Sequence, residues 1–287
     1  MENLIFKPSN RGAILTKCTN DTSFITIPDT WNNMPVCEVG KYAFANQAQL
    51  KRVCLPATID CINNHAFYNC TALEQLHLQN GLQSVGDGAF KNCRNLHKIS
   101  VKGLIGLKSL ITDFTNKFTL TITVENSQTV VLLFPEYDYT FQEIIPPREF
   151  RSVTYGSGSF YRMCATRNGI NFHEYDQTFS RAVVADEPTV VQNIALYRLL
   201  YPYQLREKHK EMYLTYLTEH AENVLKSVLI ERNIPKLELL MEYEILSCDH
   251  LENAIASASE LDFPEGVSLL MDHKLSRFGR PSKRYML

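Results

Sequence analysis

Four side chains near the middle of the chain, Tyr155, Arg162, His173 and Asp176, are of the types that general acid–base chemistry uses. Their spacing does not force them together. They are scattered over FRSVTYGSGSFYRMC and INFHEYD, with no helical or strand period in common. His173, flanked by Phe172 and Tyr175, is expected to be a hydrogen-bonded strand residue. Gly156-Ser157-Gly158 has the look of a phosphate loop, but no G-K-S/T or G-x-x-G completion follows and no helix is expected to begin there. Glycine at a bulge or hairpin turn is the reading that remains. No G-x-S-x-G, H-E-x-x-H or paired-carboxylate motif occurs. No catalytic residue, cofactor or metal ligand is therefore assigned, and an enzyme with its site in residues 112–181 stays as an alternative.

The eight cysteines include no C-x-x-C pair and no Cys/His cluster at zinc-finger spacing. Cys70 and Cys93 stand at the same place in successive repeats and read as small apolar residues in a buried column, with Gln47 taking that place one repeat earlier. Free thiols fit a reducing cytoplasm. His220 and His250 also recur at one repeat position, near helix starts, where a histidine caps or bonds its neighbour.

The elements that must carry these residues follow from the bulk pattern. The 287 residues are 45% hydrophobic and 21% charged, an ordinary globular composition long enough for two or three domains. Net charge is −2, so no global field draws the chain to nucleic acid or to acidic membrane. The one basic run, RFGRPSKRYML at the C-terminus, reads as a solvated tail. The start, MENLIFKPSNRGAIL, lacks the parts of a signal peptide, and the longest apolar run, Val130 to Phe134, is far short of a membrane span. A cytoplasmic protein without membrane insertion is expected; a cell-surface location is the alternative if a leader lies outside this sequence.

Between His65 and Val101 the chain says nearly the same thing twice. Phe44, Phe67 and Phe90 are 23 residues apart, each after an alanine. The same step relates Leu50, Leu73 and Leu96; Val53, Leu76 and Ile99; Leu55, Leu78 and Val101; and Ile59, Leu82 and Ile105. Five apolar columns in one register, at this period, mark a leucine-rich-repeat solenoid whose units cover one another's apolar faces. V-C-L, L-H-L and I-S-V alternate as short strands, and Asn69 and Asn92 fall at the turn before the strand, where an inward Asn can bond backbone groups. Upstream, SFITIPDTWNNMPVCEVGKYAF repeats the strand and reaches Phe44 after a five-residue insertion.

ITIP, then PVCEVGKYAF, then LPATIDCINNHAFYNC resembles the bacterial BspA-like leucine-rich repeats over roughly residues 12–105, with about four units. The resemblance implies a surface for protein contacts. Many relatives are exported and serve attachment, so an exported adhesin is the second functional class. Strand alternation projects Phe24, Arg52, Gln75 and Lys98 in one column and Thr26, Cys54, His77 and Ser100 in the next, flanked by Pro28, Pro56, Gln79 and Lys102. Arg52, Gln75, His77, Lys98, Ser100 and Lys102 are the candidate partner-binding residues.

From Thr112 to about Arg181, FTLTITVE, TVVLLFP and the aromatic segments after them are separated by Asn-Ser, Pro-Pro, Gly and Asn-Gly, which predicts a small antiparallel β domain. From Glu187 the pattern is helical. Residues 220–249 lie over 250–279 with a period of 30, matching Leu239-Leu240-Met241 to Leu269-Leu270-Met271 as core rows, with Pro235 and Pro264 in the first turns of the second helices. This is an ankyrin-like hairpin array without the T-P-L-H signature, and a degenerate earlier unit starts near Gln192. The expected layout is α+β: a solenoid over 1–110, a β-rich domain over 111–186 and helical repeats over 187–287. It points to a non-catalytic scaffold for protein partners, with no nucleic acid and no cofactor.

Overall fold

Alternation of buried and exposed residues along short strands, repeated every turn, builds the first part of the chain. In the computed structural model, which describes residues 4–19, 22–144 and 149–279, the chain divides into two compact units, Met1–Asp186 and Glu187–Leu287. The first opens with the antiparallel hairpin β1 (Leu4–Ser9) and β2 (Gly12–Cys18). After β3 (Phe24–Thr26), the insertion folds into a second hairpin, β4 (Thr30–Trp31) and β5 (Met34–Val39). Its two-residue loop, Asn32-Asn33, has φ of 48° and 61°, the left-handed pair that a tight hairpin turn requires.

The repeats follow as β6 (Arg52–Leu55), β7 (Cys61–Ile62), β8 (Gln75–Leu78), β9 (Ser84–Val85) and β10 (Lys98–Lys102). After α1 (Lys108–Asp113) come β11 (Phe118–Thr123) and β12 (Thr129–Phe134). Two sheets result. One runs β1-β2-β5-β7-β9; the other runs β12-β11-β10-β8-β6-β3, parallel throughout except for the antiparallel edge strand β12. Ile25, Val53, Leu76, Ile99 and Leu120 stand in one register, and Leu55, Leu78, Val101 and Ile122 in another, all buried.

An aromatic column fills the interior. Phe44, Phe67 and Phe90 stack face to face at 4.8 and 5.1 Å, and the column continues through Phe114, Phe118 and Phe134. Beside it, Gln47, Cys70 and Cys93 each donate to a main-chain carbonyl of an earlier turn: Cys18, Phe44 and Phe67 respectively. These donors do the work expected of the asparagines. Asn46, Asn69 and Asn92 instead hold the left-handed turn (φ 66°, 61° and 68°), which Asn tolerates, and Asn69 Nδ2 donates to Asn46 Oδ1 at 2.9 Å.

Three expectations are corrected here. Ile105 does not join Ile59 and Leu82 in the core; it is 73% exposed, and Leu107 is buried two residues on. The reason is local: the carbonyl of Gly106 accepts from Leu82 N–H, so the chain passes Leu82 by its backbone. Pro56, expected to project from the strand face, is buried. The segment after Tyr155, expected to be strand, is largely helical. The hairpin β13 (Asp138–Ile144) and β14 (Glu149–Tyr155) gives way to α2 (Gly158–Met163), the two-residue pair β15 (Ala165–Thr166) and β16 (Gly169–Ile170), α3 (Phe172–Gln177) and α4 (Phe179–Ala185). Short helices rich in aromatics carry no strong helical period, and packing decides their form: Tyr161 and Tyr175 are fully buried, and Tyr175 Oη donates to Leu133 O and accepts from Leu133 N–H along β12. The Pro-Pro turn at 146–147 and most of the basic tail lie outside the described residues.

The described residues of the second unit form six helices: α5 (Pro188–Leu200), α6 (Glu207–Glu219), α7 (Ala221–Ile230), α8 (Ile234–Glu242), α9 (Cys248–Glu260) and α10 (Pro264–Phe278). Pro235 and Pro264 sit in first turns, where the missing N–H costs nothing. Leu239, Leu240 and Met241 are buried, but in the second row only Leu270 is, and Met271 is 50% exposed. Lys236 is buried between Glu231 and Asn193 at 2.5 Å from each, above the Tyr197 ring.

Candidate interaction surface

The six side chains expected to meet a partner come from three strands of the parallel sheet. Arg52, Gln75 and Lys98 are register partners across β6, β8 and β10, and Thr119 of β11 extends the row. His77 and Ser100 are partners in the next row, between Cys54 and Thr121. Lys102 stands at the end of β10 opposite Thr123. Arg52, Lys98 and Lys102 are exposed; Gln75, His77 and Ser100 are half-buried because neighbouring rows flank them. The threonines were missed from sequence because the solenoid was expected to end near residue 110; the strict alternation of FTLTIT was the signal.

Ser100 Oγ is hydrogen-bonded to His77 Nδ1. Burial, and then the charge of Arg52, lower the His77 pKa, which favours the neutral imidazole. At the start of the strands Phe24 is 51% exposed, with the Arg52 guanidinium 5.9 Å from its ring centre. Ser23, Phe24, Lys51, Arg52, Glu74 and Gln75 line a shallow depression of about 270 Å³ there. Lys51 and Glu74 pair across it at 3.9 Å.

The acid–base quartet has a different fate. Arg162 is 3% exposed, and its N–H groups go to the carbonyls of Phe114, Asn116, Pro135 and Gly158. Burial lowers its pKa to about 10, so it remains a cation at neutral pH. It ties the loops around β11 and β12 to α2. Tyr155 is 52% exposed at the end of β14, whereas Asp176 is fully buried on α3, which also carries His173. A helix does begin at Gly158, against expectation. Asp186 occupies its start, accepting from Ser157 N–H at 2.9 Å and from Ser157 Oγ, so the anion position is filled from within the chain. His250 completes a capping box with Ser247, and His220 Nδ1 bonds the Tyr216 carbonyl at 2.9 Å. Among the described residues no group of three or more His, Cys, Asp or Glu is placed to hold a metal, and no helix is long and apolar enough to cross a membrane.

Residues 15–128 match the family model of the BspA type leucine rich repeat region, in six copies. Among solved structures, the chain is similar to a leucine rich repeat protein of T. pallidum (28% identity, TM-score 0.33), covering 35% of this chain and 51% of that one. It is also similar to a leucine rich cell surface protein of Faecalibacterium prausnitzii (21%, TM-score 0.31, 44% and 42%) and to a leucine-rich repeat protein of Bacteroides capillosus (25%, TM-score 0.32, 35% and 78%). The match spans about half the length of the first two of these proteins. No curated protein matches the chain.

Proposed function

We propose that this protein, whose residues 15–128 are a BspA-type leucine-rich repeat region, is a non-catalytic scaffold that holds protein partners on the strand face of its solenoid. The observation that carries the reading is the stack of Arg52, Gln75 and Lys98 beside His77 and Ser100 on adjacent parallel strands, next to a half-exposed Phe24. Repeat stacks present extended surfaces of this kind and leave partner choice to the projecting side chains. Arginine is among the residue types that dominate binding energy in protein interfaces, and phenylalanine is enriched at their cores. We also read the helical unit as an ankyrin-like array of hairpins, α7 with α8 and α9 with α10, supported by the prolines at matching first turns. The thiols of Cys70 and Cys93 donate hydrogen bonds to carbonyls, which requires them reduced and supports a cytoplasmic setting.

The test is brief cross-linking in the source cells followed by recovery of the tagged protein. A variant with Arg52, His77 and Lys98 changed to Glu is expected to lose the partner that the unchanged protein recovers. A partner retained by both would move the contact away from the strand face.

A further inference from the structure

The charge on the strand face is one-sided. The six strands of the parallel sheet, β3, β6, β8, β10, β11 and β12, read FIT, RVCL, QLHL, KISVK, FTLTIT and TVVLLF. They carry Arg52, Lys98 and Lys102 and not one carboxylate, in a chain whose 31 acidic residues outnumber its 29 basic ones. None of the three cations forms an ion pair with a described residue, although Lys51 and Glu74 pair at the rim. Exposed Arg11 pairs with Asp60 and Glu38 and exposed Arg277 with Glu244, while Lys7, Lys17 and Lys91 are exposed cations without an ion pair to a described residue. What sets the strand face apart is that its cations stand together on β6 and β10 of one sheet with no carboxylate among them. Uncompensated charges in register on a rigid sheet set a fixed positive field, and opposite charge is what such a field steers and orients.

We infer that the partner on this face is an acidic, extended protein segment; this rests on the scaffold reading above and specifies its ligand. Strand spacing sets the match. Arg52 and Lys98 are two strands apart, about 10 Å, and Lys98 and Lys102 are four residues apart on one strand, about 13 Å. Carboxylates at positions i and i+4 of an extended chain are also about 13 Å apart and on one side, with position i+2 facing the row of His77 and Ser100. The depression beside Phe24 adjoins the end of this row, with the Arg52 guanidinium 5.9 Å from the ring centre; apart from that ring its lining of Ser23, Lys51, Arg52, Glu74 and Gln75 is polar. A nucleic acid fits less well. Its phosphates lie much closer together than these cations, and Phe24 is the one Phe, Tyr or Trp on the outer rows of these strands among the described residues, with the half-buried His77 the other ring.

The experiment uses the full chain and three fluorescent probes: a glutamate homopeptide, a lysine homopeptide and a thymidine homopolymer, followed by anisotropy. The glutamate peptide is expected to bind, the lysine peptide not to, and the affinity to fall about tenfold from low salt to physiological salt. Changing Arg52, Lys98 and Lys102 together to Gln is expected to lower affinity at least about tenfold with the melting temperature unchanged, since all three are exposed. Changing Lys7, Lys17 and Lys91, which are exposed and off this face, to Gln alters net charge equally and is expected to leave binding intact. Equal loss in both triple variants, tighter binding of the thymidine polymer, or no binding of the glutamate peptide each overturns the inference. If the glutamate peptide fails while the cross-linked partner still depends on Arg52, His77 and Lys98, the acidic ligand falls and the scaffold reading stands. If both fail, both fall.

Discussion

Phe67 lies between two parallel rings, 4.8 Å from Phe44 and 5.1 Å from Phe90, and has no exposed surface. Its neighbours are fixed by strands on either side, so the space it leaves cannot collapse easily. Phe67→Ala is expected to cost about 3–5 kcal/mol, measured as a shift of the denaturation midpoint at constant m-value. This column was legible from sequence because the 23-residue step keeps each Phe over the last. Arg162 was not, and the reason is physical. Its partners are four main-chain carbonyls contributed by residues 114, 116, 135 and 158, and a carbonyl has no sequence identity to read. The same holds for Cys70 and Cys93, whose burial followed from their column but whose thiol hydrogen bonds to Phe44 and Phe67 did not.

At the scale of elements, α1 stands where the pattern calls for another Ala-Phe turn. In the regular turns Phe44 N–H donates to the Ala66 carbonyl and Phe67 N–H to the Ala89 carbonyl. Phe90 N–H instead meets the carboxylate of Asp113 at the end of α1. Burial raises the Asp113 pKa to about 6, the Phe90 N–H opposing this and the charge of Asp87 adding to it. The folded pKa therefore exceeds the unfolded one. Asp113 is no burden while protonated in both states, below about pH 4, and the fold loses stability as pH rises through about 6. Asp113→Asn keeps an oxygen for Phe90 and removes the buried charge. Its denaturation midpoint is expected to exceed that of the parent at pH 7–8, with the gap closing toward about pH 4. Asp113→Ala, lacking the acceptor, is expected to be less stable than the Asp113→Asn variant at every pH. A midpoint difference that does not change with pH would contradict the buried ionisation. The replacement of the turn by a helix also explains why the sequence alone sets β11 apart: Ile105 leaves its column, the repeat loses its step, and FTLTIT stands as a lone alternating strand.

At the scale of the molecule, the parallel sheet passes through residue 110 and ends at β12, so the place where the chain is cut decides which edge is left open. β11 pairs with β10 over five residues, Lys98 to Lys102 against Thr119 to Thr123, and β12 closes the row in the antiparallel sense. Tyr175 Oη then bonds both the N–H and the carbonyl of Leu133 on that last strand, and Arg162 joins the carbonyl of Phe114, ahead of β11, to that of Pro135, just after β12. Solenoids need such terminal units, because an uncovered repeat exposes both an apolar face and unpaired strand groups. A fragment of residues 1–110 would leave β10 as a bare edge and uncover Phe90, which rests on Phe114. It is expected to aggregate, whereas residues 1–186 should be monomeric and unfold in one cooperative step. Residues 187–287, whose helices enclose their own buried rows from Val191 to Leu270, should give a cooperative helical melt alone. Sedimentation and circular dichroism on the three fragments check this together. A monomeric, cooperatively folded 1–110 would mean that the solenoid is complete without β11 and β12, and that the threonine rows of β11 are not an essential part of its strand face.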